Sequence, residues 1–258
     1  MIVTTCLRPT SLLTKQAQEI ATDLHSKTVA RKEFSLEELY DNWNESILVV
    51  GKKRLEWYEN GQSAPFFFHP NSSVFRIRRL LKGEHDPFCD ASLLLEGDSL
   101  LDCTLGMASD SIVGSFIVGD SGVVVGLEKS PIIAYLTSKG LQTNQQNISD
   151  WTKITNRITV ENFDYKSYLA NLADDSFDVV YFDPMFETNI EASSGIAGLK
   201  LLANYDDLTY EVIEQAKRVA RKRIVLKDHF KSERFKKYGF TQIIRKTSEF
   251  HFGYIEKI

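Results

Sequence analysis

The feature that most restricts what this chain can fold into is the alternation of strand-like and helix-like segments after about residue 100. LLDCTL (100–105), VVVGLE (123–128), RITVEN (157–162), FDVVYF (177–182) and RIVLKD (223–228) are apolar, β-branched runs of strand length. Segments of helical periodicity lie between them. SDSIVGSFIV follows the first run, and a stretch opening at Ser130-Pro131 follows the second, with proline at its favoured first position. Before the fifth run, Leu208, Val212, Ala216 and Val219 fall on one helical face. This order predicts an α/β domain, a mostly parallel sheet with helices on its faces. FTQIIRKT and FHFGYIEK add an antiparallel C-terminal hairpin, for a Rossmann-like sheet of seven strands.

The first 70 residues read differently. IVTTC is a short strand; Thr10 or Ser11 caps a helix whose Leu13, Ala17, Ile20, Ala21 and Leu24 follow helical spacing. Ser35 and Glu38 have capping-box spacing, with Phe34 placed to staple to Leu39. SILVVGKKRLEWY reads as strand, turn and strand, closing near Asn60-Gly61. The expected division is a small N-terminal α+β domain over 1–70 and a Rossmann-like domain over 71–258.

Composition narrows the function classes. No apolar run approaches the roughly eighteen residues needed to span a bilayer, and MIVTTCLRPT lacks the charged and apolar regions of a secretion signal. Cys6, Cys89 and Cys103 are far apart and form no CxxC pair, which argues against a zinc ribbon or a disulfide framework. A reduced, cytoplasmic setting is the expectation. The formal net charge of −4 argues against blanket attraction to nucleic acid, but not against a local basic face.

Ligands of open α/β sheets bind beyond the carboxyl ends of the strands. The first strand runs into Asp102-Cys103-Thr104-Leu105-Gly106, a polar turn leading to a helix with Ser109 and Asp110 at its start. The second ends at Glu128 and Lys129, the third is followed by Phe163 and Asp164, and the fourth by Asp183. An acid after the second strand is placed to accept from ribose hydroxyls, as for NAD or S-adenosylmethionine. LGMASD has one glycine, too few for the fingerprint that lets backbone approach a pyrophosphate. S-adenosylmethionine needs no phosphate cradle. Asp102, Thr104 and the turn backbone suit its amino acid moiety, and Phe163 with Asp164 its adenine. Taken singly, each of these residues is equally readable as a turn or helix cap; four consecutive polar strand ends favour the cofactor.

VVYFDPMFET (179–188) asks why a buried strand should end in a carboxylate, a proline and an aromatic. The lone pair of an exocyclic nucleobase amine is delocalised into the ring. Acceptors on its N–H groups would aim that pair at an activated methyl group. Asp183 and the Pro184 carbonyl are such acceptors, proline keeps them rigid, and Phe186 can stack on the base. The alternative is that Asp-Pro merely ends a strand.

DPMF, LDCTLGMASD and the FFFHPN…RIRRLLKGE segment together resemble the RsmJ family, S-adenosylmethionine-dependent methyltransferases of guanine-N2 in small-subunit ribosomal RNA. The resemblance runs from about residue 66 to the C-terminus and implies a class I methyltransferase fold. It implies cofactor contacts at Ser109, Asp110, Glu128, Lys129, Phe163, Asp164 and Asp183. The chain departs from the family at Glu187, where a second proline is usual, in its glycine-poor first turn, and at Asp228-His229 after Lys227.

Arg76, Arg78, Arg79 and Lys82 lie in a helix whose Val74, Ile77 and Leu81 form the apolar stripe, so the basic side chains are expected together opposite it, facing RNA. Lys52-Lys53-Arg54 would extend that footprint, while the basic groups after residue 217 read equally well as solvated surface. None of the five histidines has metal-ligand spacing. The expected partner is ribosomal RNA or the small ribosomal subunit. Competing functions are amine methylation of DNA or another RNA, an NAD(P)-dependent oxidoreductase, and a non-catalytic ribosome-assembly factor.

Overall fold

The structure, a computed structural model, describes residues 1–59, 62, 64–184 and 208–257. Two compact units divide between His69 and Pro70.

The smaller unit holds β1 (Ile2–Thr5), α1 (Ser11–Asp23), β2 (Lys27–Thr28), α2 (Leu36–Trp43), β3 (Ile47–Val50) and β4 (Leu55–Tyr58), with sheet order β2-β1-β3-β4. Its local signals act as read: the Thr10 side chain caps α1, and Ser35 and Glu38 close a reciprocal capping box on α2. Phe34 packs on the cluster containing Leu39, Ile2 and Ile47.

The larger unit opens with α3 (Asn71–Leu80) and α4 (Pro87–Ser92). Then come β5 (Ser99–Asp102), α5 (Ser109–Val118), β6 (Val123–Leu127), α6 (Pro131–Thr143), α7 (Trp151–Asn156), β7 (Ile158–Glu161), α8 (Tyr165–Asn171) and β8 (Phe177–Phe182). α9 (Tyr210–Val219), β9 (Ala220–His229), α10 (Arg234–Tyr238), β10 (Thr241–Ile243) and β11 (Phe250–Glu256) complete it. The seven strands are ordered β10-β11-β9-β8-β5-β6-β7. β5 to β9 are parallel, and β11 lies antiparallel between β9 and β10. The hairpin is less regular than its sequence suggests, since β10 keeps only three residues before a longer connection.

β8 is buried along its whole length, as a central parallel strand covered on both faces must be. One face packs Leu101, Val180, Phe182, Ile224 and Leu226 against α9 and α10. On the other, Tyr181 meets Phe88 edge-on. The order of strands reverses at β5, whose neighbours are β6 and β8, so the carboxyl ends of these strands form the crevice where such sheets bind ligands. Gly126 of β6 helps to shape it: a β-carbon there would lie 2.3 Å from Leu105 Cδ1, so only glycine lets the turn after β5 pack this closely.

Candidate active site

Burial of the strand ends forces their polar groups to satisfy one another, and the result is a connected mesh. Asp102 at the end of β5 is 2% exposed; one carboxylate oxygen accepts from Thr104 N–H (3.0 Å) and the other from Ser111 Oγ (2.6 Å). Burial pushes its pKa up to about 7, against the lowering effect of those two donors. Thr104 Oγ1 in turn accepts from Asp183 N–H at 2.6 Å, tying the turn after β5 to the end of β8. Glu128 accepts from Gly106 N–H (3.1 Å) and Ser130 N–H (2.8 Å), and burial raises its pKa. Thr137 Oγ1 donates to the Gly106 carbonyl, holding the turn from α6.

Further out, Asn162 donates to the carbonyls of Glu128 and Lys129, and Lys129 pairs with Asp164 at 3.0 Å. Asp164 also caps α8. Phe163 beside it is 46% exposed and meets Tyr168 edge-on, with ring centroids 5.7 Å apart. Ser109 is half-buried at the start of α5. Phe186 lies outside the described residues.

A second set of charges lies beneath Asp183. Lys227 Nζ is 2.6 Å from Asp183 Oδ2 and 3.2 Å from Asp110 Oδ2. Asp110 also accepts from Arg76 Nη1 (2.6 Å) and from the Tyr181 hydroxyl (2.8 Å). Arg76 grips Asp86 with both Nε and Nη2, a bidentate pair at 2.7 and 2.8 Å. Burial opposes ionisation of Asp110, but Lys227 and Arg76 outweigh it and hold the carboxyl well below the usual range. Burial likewise opposes the charge on Lys227, and Asp110 with Asp183 overcomes it, so the ammonium stays charged well above neutrality. At Asp183 burial dominates and the carboxyl is raised, with Lys227 pulling the other way.

Here the arginine-helix expectation needs correcting. Arg76 does not gather with Arg78, Arg79 and Lys82; its side chain is 16% exposed and turned inward onto Asp86 and Asp110. The buried positions of α3 are Ser73, Val74 and Ile77, so Arg76 flanks the buried face and finds two carboxylates there. Leu81, assigned to the apolar stripe, is exposed because the helix stops at Leu80. Arg78 and Lys82 are exposed, and Arg79 pairs with Glu84.

Lys227, Tyr181, Ser111 and Asp86 were not singled out from the sequence. One signal was available for Lys227: a lone cation following the buried run Ile224–Leu226, one strand away from the segment that carries Asp183. Among the described residues no group of three or more His, Cys, Asp or Glu side chains is placed to hold a metal, and no helix is long and apolar enough to cross a membrane.

Chemically, carboxylates outnumber cations around this crevice, and the turn after β5 has no glycine-rich cradle for phosphate. That donor set fits S-adenosylmethionine, a cationic nucleoside without phosphate. Asp102 is suited to its ammonium side and Glu128 to its ribose hydroxyls.

The comparisons with known proteins agree. The family model described as "Putative SAM-dependent methyltransferase" matches residues 30–251. A Bacillus subtilis relative, "Uncharacterized protein YpiP", is 44% identical over 255 residues, 99% of each chain. Ribosomal RNA small subunit methyltransferase J of Nitrosococcus oceani is 30% identical over 190 residues, 70% of this chain and 72% of that one. For the same enzyme of Buchnera aphidicola the match is 31% over 134 residues, about half of each chain (50% and 51%). A solved SAM-dependent methyltransferase from Neisseria gonorrhoeae superposes with a TM-score of 0.64 at 16% identity, covering 100% of this chain and 96% of that one, which shows the shared fold. The sheet order, the acidic strand ends and these matches lead to one conclusion: the chain belongs to the SAM-dependent methyltransferase family, is RsmJ-like within it, and is an enzyme whose cofactor is S-adenosylmethionine.

Proposed function

We propose that this enzyme methylates an exocyclic amine of a nucleobase, namely guanine-N2 in small-subunit ribosomal RNA, and so works with the ribosome in the cytoplasm. The observation that carries the reading is the Asp183-Pro184 step at the end of β8, with the Asp183 N–H anchored on Thr104 and the Asp183 carboxylate held by Lys227. The relatives named ribosomal RNA small subunit methyltransferase J support the choice of acceptor.

When bound, S-adenosylmethionine supplies a methyl group already activated by the sulfonium charge, so the protein's task is mainly positioning. Asp102, Thr104, Gly106, Ser109 and Glu128 hold the cofactor, with Lys129, Phe163 and Asp164 at its adenine end. Asp110 acts behind the site rather than in it, because two cations, Arg76 and Lys227, already pair with its carboxylate beside the Tyr181 hydroxyl. Asp183 and the Pro184 carbonyl accept the amine N–H groups and localise the nitrogen lone pair. Phe186 supplies the stacking platform, and Arg78, Arg79 and Lys82 contact RNA phosphates. Residues from about 71 onward form the methyltransferase domain, with 1–70 a separate small domain.

The test is transfer of labelled methyl from S-adenosylmethionine to small ribosomal subunits from cells lacking this protein, with transfer RNA and DNA in parallel. Label in N2-methylguanine that falls by at least about 10²-fold with Asp183→Ala is expected. Label in adenine or cytosine would keep the chemistry and discard the acceptor. Full activity of the variant would remove Asp183 from the mechanism.

A further inference from the structure

The register of the central strands sets Phe182 of β8 beside Leu226 of β9. The next residues, Asp183 and Lys227, are therefore neighbours across the sheet at the mouth of the crevice. Lys227 spans two carboxylates, at 2.6 Å from Asp183 Oδ2 and 3.2 Å from Asp110 Oδ2. Its footing is rigid. Asp110 is gripped by Arg76 and Tyr181, Arg76 by Asp86, and Asp86 caps α4 through Phe88 N–H. Among the described residues the second oxygen of Asp183, Oδ1, has no hydrogen-bond partner.

We propose that Lys227 is the positioning residue for methyl transfer: its ammonium pins Asp183 Oδ2 and leaves Oδ1 to accept the N–H of the target amine. This rests on the role given to Asp183 above. The physical need for it comes from the surroundings. Asp183 faces Asp110, Asp102, Asp228 and the Tyr181 hydroxyl, with Lys227 as its cation and Arg76 one contact further away. Like charges and burial favour the neutral acid, and a protonated carboxyl is a poorer acceptor for an amine N–H. Lys227 works against both. A lysine held by two carboxylates also cannot swing away without breaking its second ion pair, which fixes the rotamer of the first.

In the transfer itself the amine lone pair forms the bond to the methyl carbon, and the electron pair of the broken carbon–sulfur bond stays on sulfur. The nitrogen then carries one proton too many. Asp183 Oδ1 accepts that proton and releases it to water, while Lys227 remains protonated throughout, bridged to Asp110.

The experiment compares Lys227→Met, Lys227→Arg and Asp183→Asn with the wild type in the full chain. It reads the pH profile of kcat on small subunits, the Kd for S-adenosylmethionine, and the Asp183 titration by carboxyl carbon NMR. Lys227→Met should bind S-adenosylmethionine within about threefold of wild type yet lose roughly 10²-fold in kcat. Its Asp183 titration and the acid limb of its profile should both move up by about one pH unit or more. Lys227→Arg should restore most of the profile. An Asp183 titration and acid limb that stay in place in Lys227→Met would overturn the proposal while leaving Asp183 catalytic if Asp183→Asn is inactive. A fully active Asp183→Asn would instead overturn the reading on which it rests. If Lys227→Met fails to fold, Asp110→Asn serves. It frees the ammonium for Asp183 alone and also removes a like charge beside it, so the acid limb should move down, and an unmoved limb counts against Lys227.

Discussion

Asp102 is a residue whose burial costs stability at a place where the proposed function sets the cofactor. The folded pKa of about 7 lies well above the unfolded value, because burial outweighs the help of Ser111 and Thr104. Between roughly pH 4 and 7 the folded chain therefore keeps a proton that the unfolded chain has lost, and stability falls as pH rises through that window. Removing the charge removes the slope. Asp102→Asn is expected to be more stable than wild type at pH 8 by roughly 1–3 kcal/mol and nearly unchanged at pH 4. It should also bind S-adenosylmethionine at least about tenfold more weakly, the usual trade of stability against a working site. Urea melts at the two pH values with a binding titration check this; parallel stability profiles for the two proteins would show that Asp102 is not strained by its charge.

At the scale of elements, α3 has two sides of different character. Its buried face, with Arg76 at the flank, braces Asp110 at the start of α5. Its exposed end carries Arg78, and Lys82 follows just beyond. Phosphate contacts release counterions, so each lost contact lowers the salt dependence of binding by about one in log–log slope. Arg78→Ala with Lys82→Ala should thus weaken small-subunit RNA binding and reduce the slope by about one to two, without changing affinity for S-adenosylmethionine. A salt titration of binding reads this directly. An unchanged slope would make these residues ordinary solvated surface, the reading that local charge alone also permits.

For the whole molecule, the buried ion network of the larger unit is expected to contribute to stability against acid. Asp86 and Asp110 both sit against burial, yet Arg76, with Lys227 at Asp110, holds their carboxyls below the ordinary range. Depressed carboxyls stabilise the fold above about pH 4 and lose that contribution as pH falls through their folded values. Asp102 works in the opposite sense between about pH 4 and 7, so maximum stability is expected on the acid side of neutrality. Arg76→Met leaves buried carboxylates without their cation and should cost roughly 3–5 kcal/mol at pH 7. It should also flatten the loss of stability below pH 4. Denaturant melts across pH 3 to 8 provide the test, and an equally steep acid limb in the variant would place the acid sensitivity elsewhere.

What the sequence determined by itself was local and periodic. The strand–helix alternation, the capping box at Ser35 and Glu38, Pro131 at the head of α6 and the polar turn at Asp102 were legible because each depends on residues within a few positions. The acidic strand ends were legible too, since a parallel sheet carries every such end to one edge. Tertiary structure alone decided which charges meet. Lys227 reaches Asp183 across 44 positions, and Arg76 reaches Asp110 across 34. On a helical wheel Arg76 belonged with its basic neighbours on the exposed side; in the fold, two buried carboxylates offered it a better partner than water. Strand register and helix packing create such pairings, and no short-range pattern encodes them.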